Sequence, residues 1–153
     1  MPNHWLMKSE PAECSIDDLA RAPGQTLPWI GVRNYQARNF MRDGMAVGDG
    51  VLFYHSSCAE PGIVGIAKVA SKAKPDPTQF KFKSPYFDAT AKPTEPRWLL
   101  VEVQALRKTR LLNLPELRAV PALADMILLK KGNRLSITPV SEVHWQIIGK
   151  LLK

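Results

Sequence analysis

Cysteine is scarce in this sequence: Cys14 and Cys58 are the only two among 153 residues. That excludes a disulfide-dense scaffold, and the pair reads as reduced thiols rather than one bridge. No C-x-x-C occurs, and the His55-x-x-Cys58 spacing lacks two further ligands, so no metal site and no cofactor are expected. Carboxylates do not cluster; Asp17-Asp18 is explained by a helix start. There is no Gly-x-Ser-x-Gly elbow and no phosphate-cradling Gly-Lys-Ser/Thr loop. No apolar run approaches the roughly 18 residues of a membrane span. The opening Met1-Pro2-Asn3-His4-Trp5 has no basic segment followed by an apolar one, so no secretory signal is expected. Nor is there a run of five or more basic residues. That lack points to a cytoplasmic protein, monomeric by default.

What remains is a globular composition. Apolar residues make up 45% and charged residues 23%, which argues against disorder. The length fits one domain spanning 1–153. There are 21 basic and 14 acidic residues, a net charge of +7, which permits nucleic acid or another anionic partner without demanding one.

The order of elements is legible from apolar patterning and punctuation. Trp5 to Lys8 reads as a strand, and Ser15 caps a helix with acids in its first turn. A second helix runs from Asn34 to Met41, its buried side expected from Tyr35, Ala37, Phe40 and Met41, with Gly44 as the stop. Val51 to Tyr54 and Ile63 to Val69 are strands, and the glycines of the latter mark a bend or a close backbone approach. Lys74 to Pro96 carries five prolines and reads as a long excursion, the kind of loop that is functional or mobile. Arg97 to Val103 is another strand. Proline-led helical turns follow at Leu114 and Pro121, then a strand at Leu135 to Thr138 and a last helix capped by Ser141. The sum is α+β: five to six short strands in a small curved sheet or barrel with flanking helices.

Nucleic-acid chemistry has the most to work with. Trp29 follows Pro28 in a loop and stands close to Arg33, Asn34, Arg38 and Asn39. A flat apolar face beside hydrogen-bond donors suits stacking one base and reading its edge; burial of Trp29 as core is the competing reading. Arg107, Lys108, Arg110, Arg118, Lys130, Lys131 and Arg134 form a strip with few acids. The strip is either a phosphate track or a solvated face.

Several segments, in order and over nearly the whole chain, resemble the EVE domain family. They are HWLMKSEP from His4, SIDDL from Ser15, GVRNYQARNFMRDGMAVGD from Gly31, FYHSSCAEPGIVGIAKV from Phe53, DPTQF from Asp76, SPYFD from Ser84, PRWLLVEV from Pro96 and RLSITPV from Arg134. The resemblance implies a PUA-like pseudobarrel, akin to the YTH domains that read methylated adenine. It implies a non-catalytic reader that holds a modified, methylated or hydroxymethylated base of DNA or RNA in an aromatic pocket. Carried over by motif, the nucleotide site draws on Trp29, Val32, Arg33, Asn34 and Tyr35, on Lys8, Ser9 and Glu10, and on Tyr54, His55 and Ser56. Tyr86 and Trp98 are further walls. Trp29 would stack on the base, Asn34 and Ser9 would meet its edge, and Arg33 and Arg38 would meet flanking phosphates. Other PUA-like folds, the ASCH relatives, include hydrolases. A hydrolase using Lys8, Glu10, His55 and Cys58, or a small-molecule binder using the same cleft, is the alternative.

Overall fold

The computed structural model describes residues 3–132 and 135–153. Met1, Pro2 and Arg134, which figure in the sequence reading, lie outside the described residues. Among the described residues, eight strands and four α-helices follow one another along the chain. The strands are β1 (His4–Ser9), β2 (Thr26–Pro28), β3 (Gly50–His55), β4 (Gly62–Val69), β5 (Lys74–Pro75), β6 (Leu99–Leu100), β7 (Glu102–Asn113) and β8 (Ile137–Val140). The helices are α1 (Ile16–Arg21), α2 (Tyr35–Asn39), α3 (Leu114–Arg118) and α4 (Glu142–Leu151). Six strands form one sheet in the order β2-β7-β4-β3-β1-β8, and β5 and β6 form a small second sheet. This is the α+β, PUA-like architecture expected, with helices flanking the sheet.

Local chemistry explains most boundaries. Ser15 and Asp18 form a capping box at α1, and Asn113 and Glu116 form another at α3. Asn34 caps α2, and Ser141 caps α4. Beyond α2 the chain makes a π-helical turn over Phe40–Gly44, closed by the Met45 amide on the Phe40 carbonyl at 2.8 Å.

The central strands are buried on both faces, which is why β1 and β3 read as unbroken apolar runs. Trp5, Met7, Val51 and Phe53 join a core with Ile16 and Leu19 of α1. Leu6, Leu52 and Tyr54 join a second core with Leu117 and Ile148. Gly65 shows why the glycines of β4 matter. A Cβ there would lie 2.5 Å from Ile16 Cδ1, so α1 can pack on β4 only because that side chain is missing.

Two expectations about elements are corrected. Tyr35 is not on the buried side of α2; it is 52% exposed, while Ala37 and Met41 are buried. The run Arg97 to Val103 is not one strand, because Leu99–Leu100 pairs with β5 and the main sheet resumes only at Glu102. Of the basic strip after Val103, Arg107, Lys108 and Arg110 ride on β7, a 12-residue strand hydrogen-bonded to β4.

Candidate nucleic-acid interface

The placement of the site begins with one pairing. β1 and β3 run parallel, with Lys8 opposite Tyr54 and Ser9 opposite His55. Parallel strands end at the same edge, so Lys8–Glu10 and Ser56–Ser57 arrive side by side, tied by the Ser56 amide on the Ser9 carbonyl at 2.9 Å. On the other side, β2 pairs with β7, and the Trp29 amide continues that pairing onto the Val101 carbonyl at 2.9 Å. Between these two edges lies a cleft of about 970 Å³. Its walls include Lys8, Ser9 and Glu10, the loop Pro28–Val32, Ser56 and Ser57, and Ser84–Tyr86 from the proline-rich excursion.

Trp29 is partly buried. Its ring stands edge-on to Phe53, with centroids 5.4 Å apart and planes at 77°. The indole N–H has no hydrogen-bond partner among the described residues. Across the cleft Tyr86 donates its phenol hydrogen to the Glu13 carboxylate in a very short hydrogen bond. Burial first, and then that carboxylate, push the Tyr86 phenol up to about 12, so it stays protonated. Gly31 lies directly under the Tyr86 ring. It has φ +85°, and a Cβ there would meet the ring at 2.6 Å.

The Gly31 loop is pinned from beneath by Asp76, which is fully buried. Its carboxylate accepts from the Gly31 amide at 2.9 Å, the Arg33 guanidinium at 3.1 Å and the Thr78 amide at 2.8 Å. Burial alone would raise its pKa. The hydrogen bonds from Thr78, Gly31 and Arg33 outweigh that and hold it below the usual carboxylate range.

Arg33 spends its donors on the scaffold. Besides Asp76 it reaches the Tyr86 carbonyl at 2.7 Å, Thr78 Oγ1 at 3.1 Å and its neighbour's Val32 carbonyl at 2.9 Å. Arg38 likewise holds Asn39 Oδ1 and the Arg97 carbonyl and lies over the Tyr35 ring. Neither is a free phosphate contact, contrary to expectation. Asn34 does not face the cleft; its side-chain oxygen caps α2 at the Ala37 amide, 3.0 Å away. Tyr54 is 3% exposed in the core on the opposite face of the sheet. Trp98 is 6% exposed and donates to Asp88 at 2.8 Å. With Arg33 and Tyr86 it lines a smaller depression of about 370 Å³, and Tyr35 leans on it at 4.9 Å. Of the fourteen site residues expected from the sequence, the cleft gathers Lys8, Ser9, Glu10, Trp29, Val32, Ser56 and Tyr86. It leaves out Arg33, Asn34, Tyr35, Arg38, Tyr54, His55 and Trp98.

Other lining residues were not anticipated. Glu13 and Cys14 come from the turn into α1, Asp18 from its first turn, and Ser136 from the far end of the chain, where its carbonyl accepts from the Lys8 amide at 2.8 Å. Ser57 sits at φ +53°, one of two non-glycine residues in the left-handed region among the described residues.

Of the four residues named for the hydrolase alternative, the cleft gathers Lys8 and Glu10, while His55 and Cys58 are not among its lining residues. His55 Nε2 accepts from the Ile16 amide at 3.1 Å. Burial lowers its pKa, opposed by Asp17 and assisted by Lys108. Cys14 faces the cleft, but burial, then Asp18 and Glu13, push its thiol up, away from a reactive thiolate. Burial pulls Lys8 down from the ordinary lysine value. The strip on β7 is partly neutralised, with Lys108 paired to Asp17 at 2.9 Å and Arg110 to Glu116 at 3.0 Å.

A curled six-stranded sheet with its cleft at the ends of a parallel pair defines a PUA-like protein. More narrowly, the EVE domain model matches residues 3–151, and the chain belongs to that family. Human thymocyte nuclear protein 1 is 40% identical over 99% of this chain and 74% of its own length, and the Gallus gallus protein of that name is 42% identical over 97% and 68%. A Pseudomonas putida crystal structure superposes with TM-score 0.93 at 46% identity, covering 98% of this chain and 99% of that one. The crystal structure of human THYN1 protein in complex with 5-methylcytosine-containing DNA superposes with TM-score 0.93 at 40% identity, covering 99% and 98%. A Zymomonas mobilis ASCH protein shares the fold alone, at 10% identity and TM-score 0.57. The cytoplasmic expectation is overturned by these relatives, which are named as nuclear proteins. It rested on the lack of a basic run, which is a poor guide to location.

Proposed function

We propose that this chain binds DNA carrying a methylated base, 5-methylcytosine in the first instance, and takes the base into the cleft turned out of the helix. One observation carries the reading: a partly exposed indole, Trp29, walls a cleft deep enough for a nucleobase, in a chain that matches over nearly its full length a relative seen with such DNA. In this reading Trp29 is the plate on which the base stacks, backed edge-on by Phe53. Glu10 is exposed at the cleft and is the acceptor for the exocyclic amine of cytosine, the usual carboxylate partner of that base. Arg33 and Asp76 act one layer below, holding Gly31 and Tyr86 so that the slot keeps its width.

The test is anisotropy titration of duplexes that differ only in one cytosine methyl, at fixed salt, with an RNA of the same sequence alongside. The natural chain should prefer the methylated duplex. Trp29→Ala should weaken it by about 1–3 kcal/mol, the cost of losing one base–aromatic stack. Equal binding of methylated and plain duplexes, or unchanged affinity in Trp29→Ala, would refute the reading.

A further inference from the structure

The most exposed large apolar side chain among the described residues lies two positions from the cleft wall. Phe82 is 80% exposed. It occupies the first corner of a tight turn closed by the Ser84 amide on the Lys81 carbonyl at 2.9 Å, with Lys83 at the second corner. Turn corners ordinarily carry proline, glycine or small polar residues, so a solvent-facing phenylalanine there needs a reason. Lys81 and Lys83 flank it, both exposed and neither in an ion pair among the described residues. Two residues further on, Ser84 to Tyr86 form the cleft wall.

The turn stands on a braced base. Phe87 backs Phe82 edge-on, centroids 5.9 Å apart. The buried Gln79 carboxamide donates to the Asp76 and Trp98 carbonyls at 2.7 and 2.8 Å and accepts from the Arg97 and Trp98 amides at 3.1 and 2.9 Å. The Asp88 amide returns to the Gln79 carbonyl at 3.0 Å. The phenyl group is thus carried at a fixed height instead of at the end of a loose loop.

We propose that Phe82 is a wedge for duplex DNA. Resting on the base-binding reading above, it enters the stack at the place vacated by the extruded base, while Lys81 and Lys83 hold the phosphates on either side. The charge arrangement supports this route for the backbone. Inside the cleft the acids Glu10, Glu13 and Asp18 outnumber Lys8 and disfavour phosphate, whereas the only charges on the turn are the two lysines. An apolar side chain that plugs an opened step recovers part of the unstacking cost, which arises only in a duplex.

The experiment compares the full chain with Phe82→Ala, Phe82→Leu and the double variant Lys81→Gln/Lys83→Gln. Each is titrated with a methylated duplex, its unmethylated twin and the methylated single strand. With the natural chain preferring the methylated duplex, Phe82→Ala should bind that duplex about tenfold more weakly yet stay within about twofold on the single strand. Phe82→Leu should fall between. All three should melt where the natural chain does, since these side chains are exposed. The lysine variant should reduce the log–log salt slope by nearly two. Phe82→Ala matching the natural chain on the duplex, or losing equally on duplex and single strand, would overturn the wedge while leaving the base reading intact. A natural chain indifferent to the methyl would bring down the base reading and the wedge with it, and would show before any variant is made.

Discussion

Two tryptophans on neighbouring walls have opposite uses. Trp98 is buried, at 6% exposure. Its indole N–H is bonded to Asp88, its backbone to Gln79 and Asp76, and its ring lies between Arg33, 5.6 Å away, and Tyr35. Trp29 touches Phe53 with one edge, borders the cleft and keeps its indole N–H unpartnered among the described residues. A buried tryptophan normally finds a partner for that donor. The satisfied ring serves the scaffold, whereas the unsatisfied one at the cleft is the ring that the binding proposal above gives to a base.

The contrast breaks most easily at Trp98. Trp98→Ala should cost about 3–5 kcal/mol of stability in urea denaturation, the usual range for removing a large buried aromatic. Trp29→Ala should cost clearly less stability while losing binding. A reversal of that order would erase the distinction. The Gly31 loop sharpens it at an intermediate size. Gly31→Ala must place a Cβ at positive φ against the Tyr86 ring, whereas Gly24, at φ +63°, has nothing within 4 Å. Gly31→Ala should therefore cost about 2 kcal/mol and Gly24→Ala about half of that. The Tyr86 phenol, held at about 12 by burial and Glu13, should titrate nearer the ordinary tyrosine value once the ring is displaced. Ultraviolet titration would register that change, and an unmoved phenol would mean that the loop absorbs the methyl elsewhere.

The smallest effect is the response to acid. Hydrogen bonds from Thr90, then Trp98, bring Asp88 down to about 2, and hydrogen bonds also hold Asp76 below the carboxylate norm. A depressed carboxylate stabilises the fold above its unfolded pKa, about 3.9 for aspartate, and loses that contribution as pH falls through its folded value. Stability should thus decline from about pH 4 toward pH 2. Asp88→Asn should flatten part of the decline while leaving the neutral-pH binding of Trp29 unaltered. Melting curves over that pH range would decide it, and an undiminished slope in Asp88→Asn would assign the acid response to Asp76 and its neighbours.

Helix starts were readable because caps are local: Ser15, Asn34 and Ser141 each accept from the amide three residues on. β1 and β3 were readable as strands for a similar reason, as short apolar runs. Half of the site was not readable. Arginine and asparagine beside Trp29 look like ligand donors in one dimension, yet Asp76 claims Arg33 and the α2 amides claim Asn34. Tyr54 and His55 follow the same strand into the site segment, but alternation turns Tyr54 to the opposite core.

The residues alone determined the order of elements, the α+β class and the segments that meet a family pattern, because capping, patterning and turn chemistry act over a few positions. Only the folded chain decided which polar groups remain free. That depends on partners brought from distant segments: Asp76 beneath Gly31, Glu13 against Tyr86 and Ser136 beside Lys8. A donor's availability is fixed by the three-dimensional neighbours that can satisfy it, and sequence spacing does not record them.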